Sequence, residues 1–450
     1  MCFHSNHYEL KCLECQRVYT DDKTFLLSCK KDHDDCLLRA IYHNKTFSTD
    51  DSLPGLFKYA QWLPVKRILN DAPEPIVYKS TGIASYLGLN NLFIVFNGYW
   101  PERNAFLDTC SFKELEAYTV CARIPDHFSQ ILVIASVGNT AKGFIKACSE
   151  NNIPAIIVIP KTSLHNVWVT TPVKPLVKII ALDGDYEDAM KVARKLSSQK
   201  GFIRVGGTKN VAKRDGLATS LLAAIETTNE MPDHYFQAVG SGAGGIGVWE
   251  MSQRILEDGG FGTKKMKLHL SQSEEFPLMV DAWEKKQPQI NPIRHDSAKR
   301  KKLCTMRAQI LGNLNPVYSV KGGLYDAMQD TSGDMYKISD SEAEKCGYLF
   351  KKAEGCDVGT AAEVAIASLF KAVERKTVQK DDIIVLNITD GGLERVRQDK
   401  KIFPCQPDLI IDSEMLKDDS LDYYILHELF GKESDETQFN RYRQDITVHI

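Results

Sequence analysis

Residues 234–256 read HYFQAVGSGAGGIGVWEMSQRIL, an apolar run followed by a loop of small residues and then by a helical pattern. A short strand that passes through glycines into a helix is half of a βαβ unit. The loop GSGAGG (240–245) leaves backbone N–H groups free at the positive end of the helix, where a phosphate group can bind. It matches neither the Walker pattern nor a clean dinucleotide fingerprint. Alone, it therefore indicates a phosphate site only weakly.

Seven further apolar runs extend this pattern along the chain. They alternate with helical patterns such as YEDAMKVARKLSSQ (186–199), which favours parallel strands that are buried on both faces. We therefore predict an α/β protein with mostly parallel sheets, and a ligand site past the carboxyl ends of the strands. The predicted strands lie in 89–99, 130–138, 153–160, 177–184, 202–207, 265–273 and 381–392.

The composition of the whole chain narrows the class of protein. With 450 residues, of which 43% are hydrophobic, the chain is too long for one core, and we expect at least two domains. The net charge of −3 provides no general attraction to nucleic acid or to an anionic membrane. No run approaches the length of a membrane helix, and the N-terminus does not resemble a secretory signal. The twelve cysteines are scattered, which fits reduced thiols and a cytoplasmic location.

Three other motifs carry side chains that could do chemistry, although each has an ordinary structural explanation. Lys113 starts a predicted helix, where most lysines are solvated, but a buried lysine can act as a Schiff-base amine. Asn139, in ASVGNTAKGF (135–144), lies at a strand-to-helix joint and could simply cap the helix. Thr389 ends the strand in LNITDGG (386–392), which by itself favours a β-turn.

In this order, the four motifs resemble the fold-type II pyridoxal-5′-phosphate (PLP) enzymes, and within them the threonine-synthase branch, over residues 45–400. The resemblance implies a fold like that of the tryptophan synthase β chain, with two three-layer α/β domains. It also implies that Lys113 carries PLP as a Schiff base, that Asn139 bonds the ring hydroxyl and that Thr389 faces the pyridine nitrogen. The cofactor phosphate would be held by Gly240, Ser241, Gly242, Ala243, Gly244 and Gly245.

The segment GGTKNVAKRDGLATS (206–220) occupies the place of a substrate-binding segment in threonine synthase. Arg214 falls on the position of the arginine that binds the substrate phosphate, and Thr208 and Lys209 fall on polar neighbours. Because a guanidinium matches phosphate oxygens well, we expect a phosphorylated substrate. A surface loop with three cations is the alternative explanation.

Two other stretches, HDDCLLRAIY (33–42) and SFKELEAY (111–118), narrow the resemblance. They are similar to threonine-synthase relatives that make L-cysteate from O-phospho-L-serine and sulfite, on the route to coenzyme M. The resemblance therefore implies this β-replacement reaction. The alternatives are threonine formation from O-phosphohomoserine and water, and another replacement on phosphoserine.

The N-terminal segment, 1–45, differs from the rest of the chain because it is rich in cysteine and histidine. Cys12 and Cys15 form a C-x-x-C pair, and Cys29 and Cys36 could complete the tetrahedral set of a structural zinc ribbon. The spacing of the second pair is wider than the usual two to four residues. A degenerate ribbon with free thiols is therefore an equal alternative.

The resemblance also predicts how the chain divides. We expect a large PLP domain at 46–107 and 236–400, a small α/β domain at 108–235 and a surface appendage at 401–450. We expect a homo-oligomer that acts on small molecules and binds neither nucleic acid nor membrane. A regulatory protein that binds nucleic acid through the ribbon is the alternative from another class, but the lysine and the near-neutral charge argue against it.

Overall fold

The computed structural model describes residues 7–21, 25–125, 130–290, 302–303 and 305–431. The strands are β1 (Tyr8–Cys12), β2 (Val18–Tyr19), β3 (Leu38–Tyr42), β4 (Ile76–Lys79), β5 (Asn91–Phe96), β6 (Tyr99–Trp100), β7 (Ala105–Phe106), β8 (Ile131–Ala135), β9 (Ala155–Pro160), β10 (Trp168–Val169), β11 (Val177–Leu182), β12 (Phe202–Arg204), β13 (His234–Ala238), β14 (Lys267–Ser273), β15 (Asp334–Ile338), β16 (Ile383–Ile388), β17 (Phe403–Pro404) and β18 (Leu409–Ile411). The α-helices are α1 (Gly82–Leu87), α2 (Lys113–Ala122), α3 (Asn139–Glu150), α4 (Tyr186–Ser197), α5 (Val211–Thr228), α6 (Ala243–Asp258), α7 (Leu278–Glu284), α8 (Leu324–Asp330), α9 (Asp340–Glu354), α10 (Thr360–Glu374), α11 (Leu393–Asp399) and α12 (Leu421–Phe430). Short 3₁₀ helices lie at Gly55–Trp62, Pro101–Arg103, Lys161–Asn166, Gly207–Lys209, Gln309–Leu311 and Met415–Lys417.

The chain forms two compact units. The first comprises 1–123 and 207–399, and the second comprises 124–206 and 400–450. All seven apolar runs that were predicted as strands contain one. The predicted α/β fold with mostly parallel sheets is therefore confirmed. Among the described residues, no helix is long and apolar enough to cross a bilayer.

The first unit is built on a six-stranded sheet with the order β15-β14-β13-β16-β5-β4. All neighbouring strands are parallel except β4, which runs antiparallel to β5. In β16, Ile384, Val385, Leu386 and Ile388 are completely buried. Such an apolar run, interrupted only by the buried Asn387, fits a central strand covered on both faces. Because β13 and β16 are adjacent and parallel, their carboxyl ends lie side by side.

The second unit contains a five-stranded parallel sheet with the order β12-β8-β9-β11-β18. Strand β18 comes from 401–450, the segment predicted to be a surface appendage. Leu421 and Ile425 of helix α12 are also buried in the core of this unit. The described part of that segment is therefore integral to the second unit, and 432–450 lie outside the described residues.

Helices α2 and α5 belong to the first unit, which differs from the predicted small domain at 108–235. Close packing of glycines explains the difference. A Cβ on Gly216 of α5 would lie 2.5 Å from Thr119 Oγ1 in α2, and one on Gly247 of α6 would lie 2.2 Å from the Arg214 carbonyl oxygen. The two glycines thus bring the backbones of α2, α5 and α6 together.

The N-terminal segment forms a small antiparallel sheet with the order β2-β1-β3. Strands β1 and β3 pair from Tyr8↔Tyr42 to Cys12↔Leu38, and each alternates between buried and partly exposed residues. Polar contacts hold this sheet on helices α5 and α6. Tyr42 donates a 2.7 Å hydrogen bond to Asp215, and Arg39 donates a 2.5 Å bond to Gln253.

Candidate active site

The glycine loop follows β13 and leads into helix α6. In the described part of the chain, the backbone N–H groups of Ser241, Gly242, Gly244 and Gly245 donate no hydrogen bond. The helix behind them has 16 residues, and its N-terminus carries a partial positive charge. Together, these free donors and the helix end can bind a phosphate group.

The sequence of this loop follows from the lack of space around it. A Cβ on Gly244 would lie 2.3 Å from Gln237 Nε2, and one on Gly240 would lie 3.1 Å from the Ile310 carbonyl oxygen. Gly242 has a φ of 88°, in the left-handed region that favours glycine. The glycines let the backbone of the loop pass close to Gln237 and Ile310, in a conformation that leaves the N–H groups free.

Lys113 is brought to the same edge by a bridge to the end of β16. Ser111 pairs with Asp390 as an isolated antiparallel β-bridge, and the Phe112 N–H donates a 3.0 Å hydrogen bond to the Thr389 carbonyl oxygen. Lys113 then begins helix α2. The buried Thr389, the lysine and the glycine loop therefore all lie past the carboxyl ends of β13 and β16, at the edge that the sequence predicts.

A buried carboxylate connects Lys113 to a second lysine. Glu116 is completely buried, and its Oε2 lies 3.2 Å from the Lys113 Nζ, whose side chain is 21% exposed. Lys213, from helix α5, donates a 2.6 Å hydrogen bond to the Glu116 Oε1. Glu116 is on the same helix as Lys113, three residues later, so the two side chains share one helical face. Our sequence analysis missed both Glu116 and Lys213.

The pKa values of this group follow from burial and from the two opposite charges. Burial lowers the pKa of Lys113; the Glu116 carboxylate opposes this shift, and Lys213 reinforces it. Burial alone would raise the pKa of Glu116, but Lys213 and Lys113 together hold it below its ordinary value. Glu116 is therefore ionised at neutral pH, while Lys113 releases its proton more readily than an exposed lysine.

A row of buried amides aligns the strands behind this edge. The Asn97 Nδ2 donates a 2.7 Å hydrogen bond to Asn387 Oδ1, and Asn387 Nδ2 donates a 2.8 Å bond to Gln237 Oε1. These residues come from the ends of β5, β16 and β13, and all three are buried. A hydrogen-bonded polar row of this kind fixes the register of the strand ends. Periodicity does not reveal such a row, because each amide lies alone in an apolar strand.

Asn139 lies in the second unit, at the N-terminus of α3. The preceding Ser136 Oγ accepts hydrogen bonds from Gly138 N–H at 3.2 Å and from Ala141 N–H at 3.0 Å. Ser136 thus bonds the first turn of the helix, and Asn139 is half-buried with no side-chain bond to another described residue. The ordinary explanation of Asn139 as a helix cap is not supported, and its contact with a cofactor stays a prediction.

Arg214 lies in surroundings that differ from its predicted role. Its side chain is completely buried, and the Nε donates a 2.9 Å hydrogen bond to Glu250 Oε2. The Nη1 donates a 2.6 Å bond to the Thr208 carbonyl oxygen, and the Nη2 bonds the Leu38 carbonyl oxygen. Because each of its nitrogens has a protein partner, this geometry does not support Arg214 as a ligand of a substrate phosphate.

The other two predicted substrate residues lie beside Arg214. Thr208 is buried and bonds Arg214 through its backbone. Lys209 is partly exposed, and its Nζ lies 2.7 Å from Asp35 in the N-terminal segment. Among the described residues, no hydrogen bond joins the side chain of Thr208 or Lys209 to Lys113. Their roles in substrate binding therefore stay predictions.

The N-terminal cysteines do come together, but with one change from the predicted set. The ligand atoms of Cys12, Cys15, Cys29 and His33 all lie within 4.8 Å of one another. The predicted fourth ligand, Cys36, is outside this group, although its Sγ lies 3.4 Å from the Cys12 Sγ. His33 takes its place, with Nε2 3.4 Å from the Cys12 Sγ.

The residues at the sheet edge fit a PLP group. The cofactor requires a cradle for its phosphate, and the loop offers unbonded N–H groups at a helix N-terminus. It also requires an amine that can lose its proton, and Lys113 is a partly buried lysine with a lowered pKa. Thr389, whose carbonyl oxygen accepts the bond from the Phe112 N–H, supplies a neutral hydroxyl rather than a carboxylate.

Comparisons with known proteins agree with this geometry. A family model described as pyridoxal-phosphate dependent enzyme matches residues 89–390. A cysteate synthase of Methanosarcina mazei is 41% identical over 416 residues, which cover 92% of this chain and 99% of that protein. A cysteate synthase of Methanocella paludicola is 40% identical over 408 residues, which cover 90% of this chain and 94% of that protein.

Solved structures agree on the fold. Maize serine racemase matches with a TM-score of 0.53 and 17% identity, over 72% of this chain and 91% of that one. Diaminopropionate ammonia lyase of Escherichia coli matches with a TM-score of 0.54 and 15% identity, over 79% of this chain and 93% of that one. At this low identity the likeness concerns the architecture alone.

Proposed function

Because the chain belongs to the family of pyridoxal-phosphate dependent enzymes, we propose that it converts O-phospho-L-serine and sulfite into L-cysteate and phosphate, on the route to coenzyme M. The observation that carries the proposal is 41% identity to a cysteate synthase over 92% of the chain. In this β-replacement the Cβ–O bond to phosphate breaks and a Cβ–S bond to sulfite forms. The sulfur lone pair supplies the new bond, so no oxidant or reductant is needed.

The cofactor would be held by the residues that the resemblance to fold-type II enzymes names. The free N–H groups of 240–245 would bind its phosphate, Lys113 would bond it covalently and Thr389 would face its ring nitrogen. Asn139 would bond the ring hydroxyl. When bound, PLP supplies an electron sink that acidifies the Cα proton of the amino acid and eases departure of a group from Cβ.

Lys113 is the residue that we assign to proton transfer at Cα. An amine can remove a proton only when it is neutral, and burial already lowers its pKa. The Glu116 carboxylate, 3.2 Å from the Lys113 amine, keeps the amine oriented along the helix. It also provides an acceptor for the remaining hydrogens of the amine. Lys113 would return the proton to the same carbon after the sulfur has been added.

The cation that we assign to the anionic substrates is Lys213 rather than Arg214. Lys213 is held beside Lys113 through the shared carboxylate of Glu116, whereas the guanidinium of Arg214 bonds Glu250 and two carbonyl groups. An ammonium group in that place would favour a phosphate or sulfite anion near the reacting carbon.

Product analysis tests the proposed function. The PLP-loaded protein should release phosphate and an equal amount of cysteate from O-phospho-L-serine and sulfite, as measured by mass spectrometry. Without sulfite, cysteate should be absent. The rival reaction uses O-phosphohomoserine and water, and formation of threonine from that substrate without cysteate from the first would overturn the proposal.

A further inference from the structure

The N-terminal segment gathers four metal-ligating side chains away from Lys113 and the glycine loop. Three are thiols: Cys12 ends β1, Cys15 lies in the turn after it, and Cys29 lies between β2 and β3. The fourth is the imidazole of His33, from the same segment as Cys29. The Cys15 and Cys29 sulfurs lie 3.6 Å apart, and the His33 Nε2 lies 3.4 Å from the Cys12 Sγ. All four ligand atoms lie within 4.8 Å of one another.

Two of these distances are close to those of a tetrahedral zinc site. Zinc binds cysteine sulfur at about 2.3 Å and histidine nitrogen at about 2.0–2.1 Å, so tetrahedral ligand atoms lie about 3.5–3.8 Å apart. The Cys15–Cys29 separation of 3.6 Å and the Cys12–His33 separation of 3.4 Å are close to this range. Packing alone does not favour an arrangement in which four metal-ligating atoms lie within 4.8 Å of one another.

The hydrogen bonds around the four ligands provide a second, independent argument. The His33 Nδ1 lies 2.8 Å from the Asp34 carbonyl oxygen, so Nδ1 carries the proton and Nε2 keeps its lone pair toward the sulfurs. The Lys31 N–H points to the Cys29 Sγ at 3.4 Å, and the Cys15 N–H points to the Cys12 Sγ at 3.4 Å. Backbone donors of this kind stabilise thiolates that bind a metal.

We propose that Cys12, Cys15, Cys29 and His33 bind one structural zinc ion, and that Cys36 is not a ligand. Four protein ligands close the coordination shell, which is typical of structural rather than catalytic zinc. The ion would lie where the described chain has no regular secondary structure, since 20–21 and 25–35 contain no strand or helix. Binding the metal would thus supply folding energy to this segment.

The zinc site also supports helix α5, which carries Lys213. The metal-binding segment leads directly into β3, whose Leu38 carbonyl oxygen accepts the bond from Arg214. Within the same segment, Asp35 pairs with Lys209 at 2.7 Å. Loss of zinc should therefore make the N-terminal end of α5 less ordered, without removing any residue that is proposed to contact the cofactor.

X-ray absorption at the zinc edge of the purified full-length chain tests the ligand set without any variant. We expect about one zinc ion per chain, bound by three sulfur atoms and one nitrogen atom. A shell of four sulfurs would overturn the assignment of His33. A protein without zinc whose mass shows two disulfides would overturn the site itself.

Two matched variants test the choice between His33 and Cys36. In Cys36→Ser, the zinc content should stay unchanged, whereas in His33→Asn it should fall at least about tenfold after dialysis against a mild chelator. The result is read as zinc per chain by elemental analysis, so it does not depend on activity. The reverse pattern, with zinc lost only in Cys36→Ser, would contradict the proposal.

Discussion

Lys213 donates a 2.6 Å hydrogen bond to Glu116, and the two residues come from different helices of the first unit. The contact is possible because Gly216, one turn further along α5, lets that helix approach α2. Glu116 in turn lies 3.2 Å from the Lys113 amine. The packing of two helices thus decides which cation stands next to the proposed catalytic lysine.

We expect Lys213→Met to lower kcat/KM for O-phospho-L-serine by about ten- to a hundredfold, because a charge-assisted contact is worth about 1.5–3 kcal/mol. The absorbance of the bound cofactor should persist, since the proposed phosphate loop is untouched. Steady-state kinetics with both substrates give the measurement.

Lys213→Arg should recover part of the loss, because it restores the positive charge. Lys191→Met removes a lysine from an exposed pair with Asp188 and should leave kcat/KM unchanged. If Lys213→Met keeps full kcat/KM, the assignment of Lys213 to the anionic substrate is wrong.

For Arg214, we expect a loss of stability rather than a loss of substrate affinity. Arg214→Met leaves Glu250 without its nearest partner in a fully buried place, and breaking a buried pair typically costs about 3–5 kcal/mol. Urea denaturation followed by tryptophan fluorescence measures the change. Arg214→Met with Glu250→Leu should recover part of it, because the second change removes the unpaired carboxylate.

The matched control is Lys351→Met, since Lys351 and Glu394 form a 2.6 Å pair on the surface. Its loss should cost at most about 1 kcal/mol. A stable Arg214→Met protein with a strongly raised KM for O-phospho-L-serine would restore the sequence-based role of Arg214.

The buried imidazole of His269 should make the protein sensitive to acid. His269 stacks on Phe236 at 4.2 Å and lies 2.8 Å from both Tyr336 and His234. Burial, with the nearby His234 and Lys267, lowers its pKa to about 2. As the pH falls, the unfolded chain therefore takes up this proton near pH 6.5 while the folded chain does not, and stability falls.

The contribution of His269 is about 1.4 kcal/mol for each pH unit below about 6.5. His269→Gln should abolish this part of the slope when urea midpoints are compared between about pH 7.5 and about pH 5.5. His427→Gln, at a partly exposed histidine, is the control and should keep the wild-type slope. A His269→Gln protein with the wild-type slope would contradict the account.

The sequence predicted the central strands β8, β9 and β16 well because their residues are mostly apolar. Runs such as AIIVIP at β9 are buried throughout. A strand of this kind can be predicted from its own apolar residues, without knowing which strands pair with it. The glycine loop was predicted for a similar reason, since its small residues are consecutive in the sequence; a Cβ on Gly244 would lie 2.3 Å from the Gln237 Nε2. Both signals are local in the sequence.

The parts that the sequence did not predict depend on contacts between distant segments. Lys213 and Arg214 are neighbours in the chain. Because successive side chains point in different directions around helix α5, Lys213 bonds Glu116 and Arg214 bonds Glu250. His33 follows Cys29 with three intervening residues, which is a usual ligand spacing, but the sequence does not show which of His33 and Cys36 faces the other thiols. Strand β18 joins the second unit through a pairing with β11, more than two hundred residues earlier.

The most direct test of the account concerns Lys113. Borohydride reduction of the PLP-loaded protein should fix the cofactor irreversibly on one lysine, and a tryptic peptide map by mass spectrometry should place the adduct on Lys113. Lys113→Ala should then carry no reduced adduct. An adduct on Lys213 or on any other lysine would contradict the assignment of the site.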